Sequence, residues 1–437
     1  MKHRRPQPAA TRPERSALVQ IEKPIYGGAF LARLEGKATF IPLTLPGEEA
    51  RVRIVEDKRS YATAEPEKIV SPSPSRVQPR CPHFGICGGC SYQHATYEAQ
   101  LIFKEQILRE TLQRAAVSPP EQIEIVAREP WGYRNRIRLA FDASGRVGYR
   151  GRRSHDIFPI KECPIAAPLL VNAALAAAQI LREQSPAIKP GELSLFCNPE
   201  EDSLLATIFA TKPAINDFDR FATAWKQRIP HLAGIECVLQ LSIDQASQQL
   251  ARWGDESLPY RTAGFDYRVD HDSFFQVNRW LLDEFVHRVI ADHRGTLAWD
   301  LFAGVGLFAR QLAQHFDQVI AVESAPSSRQ PLEQNLQGTT ATPHISDTLS
   351  FLRAQPSVSR PDLIVVDPPR AGLGPEVTAL LGHIGAPTVV YVSCDPSTLA
   401  RDLKALLAAN YSIASVTLVD LFPQTFHLET VVTLHKS

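Results

Sequence analysis

Apolar positions along this chain follow three different rhythms. From about Ser16 to Val70 they come in short runs broken by glycine and proline, as in "IYGGAFLARLEGKATFIPLTLPGEE". Several short strands punctuated in this way predict a small β-barrel. "SPSPSRVQP" (71–79) then reads as a linker, and from about Arg80 to Ala263 strand-like and helix-like stretches mix. Within that middle part, 97–115 places Leu101, Ile102, Ile107, Leu108 and Leu112 at helical spacing. From residue 264 onward, β-branched runs alternate with amphipathic segments: "TLAWDLFAGVG", "RQLAQHF", "QVIAVE", "DLIVVDPP", "TALLGHIG" and "TVVYVSC". That alternation is the pattern of a parallel sheet with crossover helices, so the fold class predicted is α/β, preceded by a barrel and a central α+β domain. The corresponding boundaries are a basic tail at 1–15, the barrel at 16–70, the central domain at 71–263 and the α/β domain at 264–437. No internal repeat is visible.

A chain of 437 residues, 44% hydrophobic and 22% charged, is long enough for two or three cores. Its most apolar stretch, 166–180, is too short and too alanine-rich to span a bilayer, which predicts a cytoplasmic protein. A formal net charge of zero argues against a protein that coats nucleic acid, but the distribution is uneven. Seven arginines stand against one aspartate between Arg134 and Arg153, and five Lys or Arg against one Glu in the first fifteen residues. Such stripes can follow a phosphate backbone; the plainer reading is a solvated face and an unstructured tail. Seven cysteines are too few for a disulfide scaffold, so their clusters point to metal binding or catalysis.

In "WDLFAGVGLFARQLA" a strand ends at Asp300 to Phe302, glycines turn the chain, and a helix begins near Leu307. The glycines let a ligand approach the backbone. The next strand ends in Glu323, where a carboxylate can accept from both hydroxyls of a ribose. The third glycine of a dinucleotide loop is missing, Asp347 follows a third strand where it can meet an adenine amino group, and "DPPR" fixes Asp367 at the sheet edge. Together these favour S-adenosylmethionine over a nicotinamide cofactor.

Cys394, at the end of "TVVYVSC", falls on the same carboxyl edge. An isolated cysteine is often a core residue, but beside a methyl donor a thiol has a chemical use. Carbon 5 of a pyrimidine is too weak a nucleophile to take a methyl group unaided; a thiolate adding to carbon 6 makes it an enolate carbon. A base must then remove the carbon-5 proton. In "FPQTFHLETVVTL", read as a strand, His427 and Glu429 share one face, and a desolvated Glu429 suits proton abstraction, with His427 the competing candidate.

"CPHFGICGGCSYQH" gives Cys81, Cys87 and Cys90, and "KECPIAAP" adds Cys163. Two glycines between Cys87 and Cys90 let the loop close round a bulky inorganic core, and the Cys-Pro pairs are similar to the ends of ferredoxin cysteine runs. Zinc on four thiolates is the rival. Cys197 and Cys237, on apolar segments, read as core residues.

With these residues in hand, the sequence resembles the RNA 5-methyluridine methyltransferase family, in its branch with a TRAM barrel and a [4Fe-4S] cluster. The resemblance rests on "IYGGAFLARLEGKATFIPLTLPGE", "CPHFGICGGCSYQHATYEAQLIFKEQIL", "ECP", "FFQVN", "DLFAGVGLFA", "DPPRAGL", "SCDPSTLARDL" and "FPQTFHLETV", in the family's order across nearly the whole chain. It implies a class I S-adenosylmethionine-dependent methyltransferase sheet whose last strand is antiparallel. It implies Cys394 as nucleophile, Glu429 as base, and Gln276, Phe302, Glu323, Asp347 and Asp367 as cofactor contacts. At Leu307 familiar members often carry a polar residue, so that contact departs from the pattern. It implies iron and sulfur rather than zinc on Cys81, Cys87, Cys90 and Cys163. The implied substrate is RNA, 23S ribosomal RNA before the transfer-RNA T-loop, acted on by a monomer. The alternatives are an amino-directed methyltransferase, suggested by "DPP", and an iron-sulfur RNA-binding module without catalysis.

Overall fold

The computed structural model describes residues 15–184, 186–239, 248–356 and 360–437. The basic tail of the sequence reading therefore falls, but for Arg15, outside the described residues. Five strands from Ser16–Pro24 to Tyr61–Ser71 close into a barrel round Val19, Ile21, Phe30, Ile41 and Val52. The stretch that follows is fastened rather than free. Buried Glu48 accepts from the Ser73 amide at 3.1 Å and pairs with Arg76 at 2.5 Å.

The middle of the chain forms a seven-stranded sheet from Gln248–Gly254 to Ile157–Pro159, with helices Pro168–Gln184 and Phe218–Arg228 sharing its core. Cys197 and Cys237 are buried in that core. Helix Tyr97–Arg114 buries Phe103, Ile107, Leu108 and Leu112, but Ile102 is 61% exposed. The spacing that includes Ile102 is compatible with the helix, yet the inward stripe is narrower than expected.

The C-terminal sheet has eight strands in the order Ala341–Ile345, Phe316–Glu323, Gly295–Leu301, Leu363–Val366, Thr388–Ser393, Thr430–Lys436, Tyr411–Val419 and Glu124–Val126. The first five are parallel, and Thr430–Lys436 enters antiparallel between its neighbours. Its apolar runs are continuous because both faces are covered. Val390 and Val392 join one core with helix Leu282–Ile290, while Val389 and Tyr391 join another with helix Pro396–Ala408. Among the described residues no helix is long and apolar enough to cross a membrane.

Candidate active site

Sheet register brings the thiol and the carboxylate together. Strand Thr388–Ser393 pairs antiparallel with Thr430–Lys436, and the last pair is Ser393 with Thr430. The next residues outward are Cys394 and Glu429, so 35 positions of sequence reduce to neighbouring places at one sheet edge. On the other side of Cys394, the parallel strand Leu363–Val366 delivers Asp367 to the same edge. Pro396 opens helix Pro396–Ala408 at its first position, and Asp395 caps that helix by accepting from Ser397 N at 2.9 Å and Thr398 N at 3.0 Å.

Glu429 is 3% exposed, and burial, followed by the Asp367 charge, holds its carboxyl well above the ordinary carboxylate value. Burial raises Asp367 to about 7. The Cys394 thiol is pushed up to about 11 by burial and by the Glu429 and Asp367 charges, with Arg370 opposing them. His427 differs: its Nδ1 lies 3.3 Å from Arg370 Nη2, and burial plus that guanidinium bring its imidazole down to about 4. Arg370 is the group here that the sequence reading had only as the residue after "DPP".

Glu429 and His427 do not lie on a strand as expected. The strand starts at Thr430, and residues 420–429 form an irregular loop. Gln424 adopts a left-handed backbone (φ 67°), and its carbonyl accepts from Ser91 N at 2.9 Å and Tyr92 N at 3.0 Å. Gln100 bonds both its amide and its side chain, each at 3.0 Å. The loop's polar backbone is satisfied by other parts of the chain instead of by a ladder, which period-two reading cannot register.

At the neighbouring strand ends, Phe302 sits in a left-handed conformation (φ 71°) that a non-glycine residue rarely adopts. Such strain gathers at functional sites. Glu323 Oε2 accepts from Gly304 N at 2.7 Å, while Oε1 accepts from Ser324 N and Ala325 N at 2.7 and 2.6 Å. That fixes the carboxylate beside the glycine turn. Asp347 is exposed at the end of its strand and caps helix Thr348–Arg353, with Oδ1 accepting from Ser350 N at 2.9 Å. Gln276 is buried, held through its carbonyl by Asn135 Nδ2 at 3.1 Å. Leu307 turns its side chain into the core, so it offers no polar contact. Asp300, which the sequence reading treated only as a strand end, is fully buried with neither carboxylate oxygen hydrogen-bonded.

Cys81, Cys87, Cys90 and Cys163 border one cavity of about 80 Å³, with Phe84, Ile160 and Ile165 among its walls. That is several times the roughly 10–15 Å³ that one water needs. Gly89 N donates to Cys87 Sγ at 3.4 Å, and the Tyr149 hydroxyl to Cys163 Sγ at 3.8 Å. Burial raises the Cys81 and Cys87 thiols and pushes Cys90 up to about 12. Among the described residues no group of three or more His, Cys, Asp or Glu is placed to hold a metal ion.

Three carboxylates meet five of the seven arginines in the stripe. Arg138 and Arg150 pair with Glu192, Arg152 and Arg153 with Glu65, and Arg146 with Asp142. Glu65 and Glu192, distant in sequence, meet it on folding, while Arg138, Arg146, Arg150 and Arg153 keep about half of their side chains exposed, as a solvated face would.

Residues 15–66 match the TRAM domain, and residues 358–437 match the family described as tRNA (Uracil-5-)-methyltransferase. The chain is 33% identical to the 23S rRNA (uracil(1939)-C(5))-methyltransferase RlmD of Enterobacter sp. (strain 638), over 93% of each chain. It is 34% identical to the protein of that name from Shewanella frigidimarina, over 93% of this chain and 92% of the relative. Among solved structures, the Pyrococcus abyssi tRNA (uracil-54, C5)-methyltransferase in complex with S-adenosyl-L-homocysteine superposes with a TM-score of 0.78 at 26% identity, over 95% of this chain and 99% of that one. With these relatives spanning both barrel and sheet, the chain belongs to the TRAM-containing RNA uracil-C5 methyltransferase family.

Proposed function

We propose that this protein methylates carbon 5 of a uridine in 23S ribosomal RNA, in the cytoplasm, using S-adenosylmethionine. The observation that carries the reading is the adjacency of Cys394 and Glu429 at the end of one antiparallel strand pair, beside Asp367. Gln276, Phe302, Glu323, Asp347 and Asp367 would hold the methyl donor, with Leu307 contributing only apolar surface. When bound, that donor supplies an electrophilic methyl group on a sulfonium.

Cys394 Sγ adds to carbon 6 of a uracil turned out of its RNA stack, and electron density moves to carbon 5. Carbon 5 takes the methyl group. Glu429 then removes the carbon-5 proton, and the bond to Cys394 breaks as the double bond re-forms. Glu429 fits this role better than His427, whose nitrogen is engaged by Arg370 and whose lowered pKa makes it a weak base. Arg370 favours the thiolate.

Cys81, Cys87, Cys90 and Cys163 would carry a [4Fe-4S] cluster. The reading is supported by an all-sulfur donor set round one cavity, apolar walls, and N–H and O–H donors aimed at two of the sulfurs.

Labelled S-adenosylmethionine, incubated with separated 23S ribosomal and transfer RNA and followed by nucleoside mass spectrometry, tests the function. Label in 5-methyluridine of the ribosomal RNA is expected, absent with Cys394→Ala; Glu429→Gln should slow turnover by about 10²–10⁴ and accumulate a protein–RNA adduct. Label in the transfer RNA would move the substrate to the class named for the Pyrococcus neighbour. Carbon-5 methylation by the alanine variant would overturn the mechanism.

A further inference from the structure

The barrel reaches into the active site. The turn between strands Ser16–Pro24 and Ala29–Leu34 is closed by Ile25 N donating to Ala29 O at 3.0 Å, with Gly27 and Gly28 at φ 102° and 83°. A side chain at Gly28 would meet Ser91 Oγ at 2.9 Å and Phe426 at 3.1 Å, so the turn lies tight against the cysteine loop and the loop that carries Glu429. Tyr26 leaves this turn toward the methyltransferase sheet. Its ring meets Phe426 edge-on, centroids 5.6 Å apart, and its hydroxyl donates to the Cys394 carbonyl at 3.4 Å. The same hydroxyl lies beside the Asp395 carboxylate, whose Oδ1 is already engaged in capping helix Pro396–Ala408.

We propose that Tyr26 is a positioning residue for the nucleophile: its hydroxyl holds the Cys394–Asp395 joint between strand and helix, and so sets where the thiol meets carbon 6. The inference rests on Cys394 being the nucleophile. A bond of 3.4 Å is weak by itself, and hydrogen bonds of this kind shorten as substrate completes the site. The barrel then contributes to chemistry, because one of its turns fixes the backbone of the reacting residue.

Tyr26→Phe keeps the ring and removes the donor. In protein purified without oxygen, kcat should fall roughly five- to fiftyfold, the scale of a small misplacement of a reacting group, while KM for RNA and for S-adenosylmethionine stays within about twofold. In a Glu429→Gln background, adduct formation should slow by the same factor. Tyr26→Ala, which also removes the contact with Phe426, should be no less impaired than the phenylalanine variant. Wild-type kcat for Tyr26→Phe, or a raised RNA KM at unchanged kcat, would overturn the proposal. If Cys394→Ala is inactive in the same assays, such a result removes the role of Tyr26 and leaves the thiol mechanism standing.

Discussion

Asp300 illustrates what burial does to one residue. Its carboxyl group is raised from 3.8 to about 8, first by desolvation and then by the Asp367 and Glu323 charges. The Ala309 amide offsets part of this. Below the unfolded value both states carry the proton, and stability is unaffected. As pH rises toward 8 the unfolded chain gives up its proton while the folded one retains it, so stability falls across that window. Asp300→Asn imitates the protonated form. In protein free of methyl donor it should melt with wild type near pH 4 and a few degrees above it near pH 8, because the amide has no ionisation for burial to oppose. Equal midpoints at the alkaline end in calorimetry would contradict that account.

At the scale of elements, helix Tyr97–Arg114 acts as a brace for the Glu429 loop. Lys104 Nζ meets Asp420 Oδ1 at 2.5 Å and the Phe422 carbonyl at 2.9 Å, and the Tyr97 hydroxyl donates to the other Asp420 oxygen at 2.8 Å. Both charges are buried, so removing one strands the other. Lys104→Met should cost about 3–5 kcal/mol in denaturant unfolding, and adding Asp420→Asn should return more than half of it. A double variant no better than the single one would mean that the ion pair is not what holds the loop. The helix was legible from its spacing; this use of it was not, because Lys104 occurs in "FKEQ" like any solvated lysine and its partner lies 316 residues away.

Across the whole molecule, barrel turn, cysteine loop and the loop at 420–429 meet at Gln424, Phe426 and Ser91. Protein purified without oxygen should be brown, with about four iron and four sulfide per chain. Colourless protein loaded with zinc would overturn the cluster assignment. Cys90→Ser should lower iron content and, because Ser91 and Tyr92 hold the Gln424 carbonyl, reduce kcat as well. Full turnover by an iron-free variant would show that the cysteine loop keeps its shape without metal.

The sequence by itself determined the alternating strands and helices, the barrel, the chemistry-bearing motifs and the order in which they occur, because periodicity and turn residues are local properties. Cys394, Asp367 and Glu323 could be placed at strand ends for that reason. Only the tertiary structure decided which of them meet. It set Glu429 beside Cys394 through the antiparallel register of the last strand, and put residues 420–429 in a loop where alternation suggested strand. It paired the arginine stripe with Glu65 and Glu192, and it brought Tyr26 from the barrel to Cys394. Those outcomes depend on contacts between residues up to hundreds of positions apart, and a one-dimensional pattern carries hydrophobicity and local geometry but not the pairing that burial enforces.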